Sequence, residues 1–203
     1  FLQDKSGYLL IGTDKGLFKY DGFTFEHLTV DDSLSDNHVT ALAQDSVGRI
    51  WAGHANGRIS IVSRSRVVPF TPDEGMPSVP ISKLMFSKSG VLWFATLNDG
   101  LYYYQRNRLY RIDEAEGMPD LYVYDVAELP DGRIVAATDG GIVICFPGDR
   151  PKLTVVDQQA GLPDNIIRKI RIDETGNAWL ATEDVGLVMF NAESGKISHI
   201  TPD

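Results

Sequence analysis

The sequence predicts an all-β fold built from five copies of one structural unit. Five glycines, at positions 7, 48, 90, 132 and 176, follow one another at intervals of 41, 42, 42 and 44 residues. Around each of them the same order recurs: a polar turn, the glycine, a short apolar run, a small residue and a second turn glycine. A near-constant period of this length indicates a repeat protein, in which each copy buries its apolar faces against its neighbours.

The second copy shows how each unit is built. Residues 38–43 are partly β-branched and read as a strand, and a turn at 45–48 separates them from a second strand at 49–53. A turn at 54–57 precedes a third strand at 58–62, and a weak fourth strand at 67–70 contains a proline, which suits a sheet edge. Since helix-length segments with a 3.6-residue period are missing, we predict a four-stranded antiparallel sheet for each unit.

Large and small residues recur at fixed offsets in the copies. The third residue after the first glycine is Leu10, Trp51, Trp93, Val135 and Trp179, and two positions later stand Gly12, Gly53, Ala95, Ala137 and Ala181. One residue after the second turn glycine, copy two has Arg58 where leucine is usual. Four residues after that glycine stand Tyr20, Ile61, Tyr104, Cys145 and Phe190. Large residues at fixed offsets fill the space between stacked sheets. Four-stranded units of this length are typical of the blades of a β-propeller.

The repeat resembles that of the two-component regulator propeller family. The pattern is clearest where Asp173, Gly176, Trp179 and Thr182 follow a Gly-Leu-Pro-Asp-Asn turn at 161–165. The resemblance extends over all five copies, although Ser87 and Leu129 replace the first aspartate in copies three and four. It implies the periplasmic input domain of a membrane-bound bacterial regulator, commonly a hybrid histidine kinase and sometimes a diguanylate cyclase. It also implies that this segment is a sensor and not an enzyme.

We expect about five four-stranded blades, at 1–32, 33–74, 75–117, 118–159 and 160–203. The first copy begins at its first turn, so the first blade is truncated. The resemblance implies a larger propeller array, often of seven blades, while closure of five blades into a small ring is the alternative. The total number of blades, the attached output domain and the oligomeric state stay open at this stage.

Composition and charge exclude several functions. The net charge of −9 and the isoelectric point near 4.9 disfavour nucleic acid as a partner. The single cysteine, Cys145, rules out an internal disulfide framework and reads as a buried packing residue. The four histidines are scattered, so that metal-ligand spacing is absent and neither a metal nor another cofactor is expected.

Charged residues in the predicted innermost strands are the first candidate binding site. In a propeller these strands line the axial channel, and here they carry Lys83, Tyr124, Asp125, Arg168 and Lys169. A charge buried without a partner is costly, so we expect these side chains to face water in the channel. They either bind a polar or anionic ligand or pair with one another across blades.

The turns between second and third strands supply a second group of candidates on one face of the disc. Its members are His54, Asn56, Asn98, Asp99, Asp139, Glu183 and Asp184. Carboxylates and amides beside aromatic rings can hold an oligosaccharide through hydrogen bonds and stacking. Polar residues are, however, also what any propeller needs to turn its chain. His54 stands out because it replaces a repeat threonine, yet no triad partner accompanies it.

Three function classes follow from these residues. The first is an extracytoplasmic sensor that binds an oligosaccharide or another polar ligand, with a homodimer forming through the parent protein. The second is a scaffold whose blade edges or disc face hold another protein. The third is a lyase or hydrolase acting in the channel, for which His54 or Asp125 would be the group to test first.

Overall fold

The computed structural model describes residues 1–63, 66–73, 75–148 and 151–200, and the fold below refers to these ranges. Two predicted blade ends, Glu74 and Asp203, lie outside them. The described chain forms five four-stranded antiparallel sheets. Its helical residues are two 3₁₀ turns, Val30–Asp32 and Glu114–Glu116. Within the described ranges, no helix has the length and apolar character needed to cross a membrane.

The strands of each sheet pair in chain order, from the innermost strand to the outermost. Blade 1 contains β1 (Leu2–Gln3), β2 (Leu9–Thr13), β3 (Gly16–Tyr20) and β4 (Phe25–Leu28). Blade 2 contains β5 (Val39–Gln44), β6 (Ile50–His54), β7 (Ile59–Ser63) and β8 (Arg66–Pro69). Blade 3 contains β9 (Ile81–Phe86), β10 (Leu92–Thr96), β11 (Leu101–Gln105) and β12 (Arg108–Ile112). Blade 4 contains β13 (Val123–Glu128), β14 (Ile134–Thr138), β15 (Gly141–Cys145) and β16 (Thr154–Val156). Blade 5 contains β17 (Ile167–Ile172), β18 (Asn177–Thr182), β19 (Leu187–Asn191) and β20 (Ile197–Ile200).

The blades are arranged around a common centre. Strands β5, β9, β13 and β17 lie next to one another in that order. All five innermost strands, including the two-residue β1, line one central cavity, which we call the hub. This arrangement confirms the predicted all-β propeller of about five blades.

The small residue of each repeat lies where the next blade comes closest. A Cβ atom added at Gly53 would stand 2.7 Å from Cγ2 of Ile81 in β9, and one at Gly12 would stand 2.7 Å from Cγ1 of Val39 in β5. Real Cβ contacts are not this short, so these two positions require glycine, whereas blades 3, 4 and 5 have alanine at the equivalent position. The small residue of each repeat therefore lets neighbouring blades approach closely, and the large residue fills the space between them.

The large residue of each repeat packs on the following blade. Trp51 joins a cluster with Ile81 and Phe94 of blade 3, and Trp93 joins one with Val126 and Ala136 of blade 4. Val135 takes the same place against Ile167 and Leu180 of blade 5. Burial of one such side chain contributes about 1.5–3 kcal/mol, so the interfaces between blades hold most of the core.

The two end faces of the array are partly open and differ in kind. On blade 5, Leu187 is 39% exposed beside a half-buried Trp179, the counterpart of the buried Trp51 and Trp93. On blade 1, the opposite type of face carries Phe18, stacked on His27 with ring centroids 4.0 Å apart, and Tyr20, stacked on Phe25 at 4.5 Å. The ring of Phe25 is 60% exposed there.

The second turn of blade 2 differs from the prediction. The His54 amide donates to the Arg58 carbonyl at 3.0 Å, as the Thr96 amide donates to the Gly100 carbonyl at 3.2 Å in blade 3. Arg58 thus closes the turn, and Ile59 holds the leucine position opposite Gly53. Val62 is consequently the counterpart of Tyr104, because it lies opposite Ile50 as Tyr104 lies opposite Leu92. The assignment of these positions to Arg58 and Ile61 was wrong by one residue, since it was counted from Gly57.

The repeat aspartate and the tryptophan six residues later form one hydrogen-bonded unit. The carboxylates of Asp45 and Asp173 accept the indole Nε1–H of Trp51 at 3.0 Å and of Trp179 at 2.8 Å. Burial raises the pKa of Asp45, but the hydrogen bonds from Trp51 and Arg49 outweigh it and leave that pKa below its ordinary value. In blade 3 the aspartate is replaced by Ser87, and the buried Nε1 of Trp93 has no hydrogen-bond partner within the described residues.

We therefore expect Ser87→Asp to stabilise the protein. A carboxylate at this position would accept the orphaned indole N–H of Trp93, and relief of one unsatisfied buried donor contributes about 1–3 kcal/mol. Urea unfolding of the wild type and the variant, followed by intrinsic fluorescence, measures the difference. The control repeats the substitution in a Trp93→Phe background, where the gain should vanish. An equal gain in both backgrounds would contradict the proposed pairing.

Candidate functional site

A β-bulge interrupts the innermost strand of four blades at the same place. The strand register shifts between Val39 and Ala41 in blade 2 and between Ile81 and Lys83 in blade 3. It shifts between Val123 and Asp125 in blade 4 and between Ile167 and Lys169 in blade 5. The residues left unpaired by these shifts are Thr40, Ser82, Tyr124 and Arg168. A bulge turns its extra side chain away from the regular alternation of the strand. The four residues therefore lie at matching positions on the innermost strands.

The first two bulge residues support the backbone. The hydroxyl of Thr40 donates to the Gly53 carbonyl at 3.1 Å within blade 2. The hydroxyl of Ser82 donates to the Val123 carbonyl at 2.5 Å and so connects blade 3 with blade 4. Both hydroxyl protons are used by these bonds, so blades 2 and 3 offer little for recognition at this position.

The other two bulge residues belong to a cluster of Tyr124, Asp139, Arg168 and Glu183, which we call the rim cluster. The guanidinium of Arg168 lies 4.2 Å from the Tyr124 ring centroid, and its Nε donates to Glu183 at 2.6 Å. The Tyr124 hydroxyl donates to Asp139 at 3.0 Å. Four predicted site residues are thus brought together across blades 4 and 5. Their polar groups surround an aromatic ring, an arrangement suited to a hydroxyl-rich ligand.

Mutual contacts shift the pKa values of the rim cluster. The bond to Glu183 raises the pKa of Arg168, and Arg168 in turn lowers the pKa of Glu183. Burial, followed by the hydrogen bond to Asp139, raises the pKa of the Tyr124 phenol. At neutral pH the cluster therefore presents one guanidinium, two carboxylates and a neutral tyrosine. The charge of Arg168 is balanced by Glu183 and by Asp139, 3.6 Å away.

Lys83, Asp125, Lys169 and Arg171 form a second group, the hub cluster, in which Lys83 and Arg171 line the hub. The carboxylate of Asp125 is fully buried and lies 3.4 Å from the Lys83 ammonium, 3.5 Å from that of Lys169 and 3.6 Å from the Arg171 guanidinium. Three of these residues were predicted. Arg171 was not, although it follows Lys169 by two positions, a spacing that places both side chains on one face of the strand.

The remaining disc-face candidates serve their own turns. Asn98 adopts the left-handed conformation at φ 84°, and Asp99 accepts the Tyr102 hydroxyl at 2.8 Å and pairs with Arg111 at 2.6 Å. Asn56 donates to the Ser35 carbonyl at 3.0 Å, and the Asp184 amide donates to Asp164 at 3.0 Å. These contacts lie within single blades or their connecting loops and do not bring the residues into the hub.

His54 is fully buried, so it is not a surface base. Its Nε2 lies 2.8 Å from the Ser60 hydroxyl, which in turn donates to the Ser35 hydroxyl at 3.1 Å. The other ring nitrogen, Nδ1, is buried without a hydrogen-bond partner within the described residues. Burial is the main cause that lowers the pKa of His54 to about 4, so the imidazole is neutral in the folded protein at pH 7.

Comparison with known proteins finds similar architecture in extracellular domains of bacterial signalling systems. The signature described as Two component regulator propeller matches residues 33–56. The extracellular domain assigned to a hybrid two component system of B. thetaiotaomicron is 26% identical with a TM-score of 0.81, over 96% of this chain and 27% of that one. A second extracellular domain from B. thetaiotaomicron, assigned to a one component system, is 25% identical with a TM-score of 0.80, over 98% of this chain and 27% of that one.

Other matches are informative about the fold alone. Virginiamycin B lyase from Staphylococcus aureus has a TM-score of 0.78 at 11% identity, over 98% of this chain and 68% of that one. No curated protein matches the sequence. The chain spans only about a quarter of the length of the two B. thetaiotaomicron domains, 27% in each case.

The blades, the hub and these likenesses together define a β-propeller that is similar to extracellular domains of bacterial signalling systems. The resemblance to the two-component regulator propeller family, predicted from the repeats, is confirmed by the signature matched at 33–56 and by the two extracellular domains. Those domains are extracellular, which is consistent with the predicted extracytoplasmic location of this segment.

The burial of His54 predicts a loss of stability in acid. The unfolded chain binds a proton at this residue below about pH 6.5, whereas the folded protein binds it only near pH 4, so stability falls as the pH drops through this window. From these two pKa values, we expect His54 to contribute a loss of about 2 kcal/mol between pH 7.5 and pH 5. Urea unfolding at both values, for the wild type and His54→Gln, measures it. A pH dependence that is the same in both proteins would refute the assignment.

Proposed function

We propose that the chain is the ligand-sensing part of an extracytoplasmic propeller in a membrane-bound bacterial signalling protein, such as a hybrid histidine kinase. The ligand is a carbohydrate or a similarly polar molecule, and its binding to the propeller changes the relative placement of two parent subunits. The likeness to extracellular domains of two-component and one-component systems supports the class of protein.

The rim cluster is the observation on which the proposal rests. Tyr124 is held in place by a hydrogen bond to Asp139 and by the stacked guanidinium of Arg168, so its ring orientation is fixed before a ligand arrives. Binding groups that are already ordered lose little conformational entropy when the ligand binds. A sugar ring stacked near Tyr124 would meet the carboxylates of Asp139 and Glu183, which accept hydrogen bonds from hydroxyl groups.

A scaffold that holds another protein is the second candidate, and the open end faces favour it. The stacked pairs Phe18–His27 and Tyr20–Phe25 place aromatic surface at one end of the array. Exposed apolar surface of this kind is typical of contacts between proteins. In that case the recognition surface would lie on a blade face, far from the rim cluster.

A thermal-shift screen against neutral, amino and acidic oligosaccharides tests the sensor proposal. A ligand present at a hundred times its Kd stabilises the folded state by about 2.7 kcal/mol, which is a shift of several degrees for a domain of this size. Tyr124→Ala should weaken the binding of a hit by about tenfold, because it removes the stacking surface. Tyr20→Ala is the matched control, since that tyrosine lies on the end face of blade 1 and bonds to the Gly22 carbonyl at 2.7 Å.

The outcomes separate the two candidates. Stabilisation by an oligosaccharide that is lost in Tyr124→Ala and kept in Tyr20→Ala supports the sensor. A screen in which no oligosaccharide stabilises the wild type argues against it. A stable complex with another protein that Tyr20→Ala weakens and sugars do not disturb would favour the scaffold.

A further inference from the structure

The hub cluster is held together by one buried carboxylate. Besides its three cationic neighbours, Asp125 accepts the backbone amides of Val126 at 3.0 Å and Ile170 at 3.2 Å, the second of which belongs to blade 5. A carboxylate without solvent exposure requires such partners, because an unpaired buried charge is strongly unfavourable. Asp125 is thus a structural anchor whose lone pairs are occupied, and it has little capacity for a ligand.

The cations around it have capacity to spare. Their distances to Asp125, 3.4 to 3.6 Å, are well beyond the 2.6 Å at which Arg168 binds Glu183. Charge-assisted hydrogen bonds are normally 2.7–2.9 Å long, so these three contacts are loose ion pairs. The side chains of Lys83, Lys169 and Arg171 are 28%, 54% and 70% exposed, and most of their N–H donors are therefore free to bind a second acceptor.

The local charge of the hub is opposite to that of the whole protein. Three cations face the buried Asp125, and the cavity lining itself contains a second carboxylate, Glu128, which accepts the Lys88 amide at 2.7 Å. One positive charge remains unbalanced, in a chain with a net charge of −9. The rim cluster, by contrast, has two carboxylates for one guanidinium. An anionic group is therefore attracted to the hub and repelled by the rim.

The cavity beside these cations has the size of a small sugar. It occupies about 410 Å³, and Lys83 and Arg171 line it together with apolar residues such as Leu42, Met85 and Ile172. Volumes of about 300–1,000 Å³ are typical of small-molecule sites.

From these observations we propose that the hub binds the acidic group of an anionic sugar, a carboxylate or a sulfate, through Lys83, Lys169 and Arg171. This inference rests on the proposed sensor function and names the ligand class. Asp125 positions the three cations from within, and Arg171, with its planar fork of donors, makes the paired hydrogen bonds that an oxyanion accepts.

Titration calorimetry at low salt tests the assignment with four probes: glucuronate, N-acetylglucosamine 6-sulfate, glucose and inorganic sulfate. We expect at least one acidic sugar to bind tenfold or more tightly than glucose, and its affinity to fall as salt is added. The carboxylate and sulfate probes distinguish the two acidic groups.

The double variant Lys169→Gln/Arg171→Gln should reduce this affinity by at least tenfold. Lys196→Gln is the matched control, because Lys196 lies in the exposed turn before the outermost strand β20 and its removal changes the net charge without touching the hub. The charge-keeping variant Lys169→Arg should retain binding, and the melting temperature of each variant reports whether the fold is intact. Unchanged binding of the acidic sugar by the folded double variant would overturn the proposal.

Three further results would also overturn the proposal, and each leaves a different part of the interpretation intact. Equal affinity for glucose and for the acidic sugars would remove the anion site and keep a sugar sensor. Inorganic sulfate binding as tightly as the sulfated sugar would make the hub a simple ion site. If neither these probes nor any oligosaccharide binds, the sensor function itself fails with the hub assignment.

Discussion

Every blade of this protein has two apolar faces, and a four-stranded sheet can bury neither of them by itself. The structure depends on this constraint, since Trp51, Trp93 and Val135 are each buried between their own blade and the blade that follows. The small residue of the repeat is the other half of the same contact, because it lets the next innermost strand approach within van der Waals distance of β2 or β6. Stability therefore resides in the interfaces between blades, as in other repeat architectures.

Much of the fold could be predicted because each structural feature of a blade recurs in five copies of the repeat. The four strands of a blade, the turn glycines and the alternation of large and small residues all recur, so accidental similarities at single positions cancel. The counting from Gly57 failed for a local reason: hydrogen bonds decide which residue closes a turn, and the Arg58 carbonyl takes that role. The orphaned indole of Trp93 is likewise visible only in the structure, although the replacement of aspartate by Ser87 was its signal in the sequence.

The candidate site was harder to predict, because it depends on contacts between blades. The sequence showed charges in the innermost strands but not which of them pair. In the structure Arg168 is engaged by Glu183 and Asp139, whereas Lys83, Lys169 and Arg171 converge on Asp125 from the blades on either side. The bulges separate the two groups by turning Tyr124 and Arg168 away from their neighbours Asp125 and Lys169. One strand position thus contributes to the rim, and the next contributes to the hub.

The unlike ends of the array have a consequence for assembly. Blade 5 ends in the face that carries Trp179, and blade 1 in the opposite face, which carries Phe18 and Tyr20. Two copies related by a two-fold axis would bring identical faces together and would not reproduce the contact between blades. Only head-to-tail (heterologous) packing, with blade 5 of one copy against blade 1 of the next, repeats the contact seen between blades within the chain. The two end faces therefore differ in kind, and a sheet that packs on either of them in the native manner can do so in a single orientation.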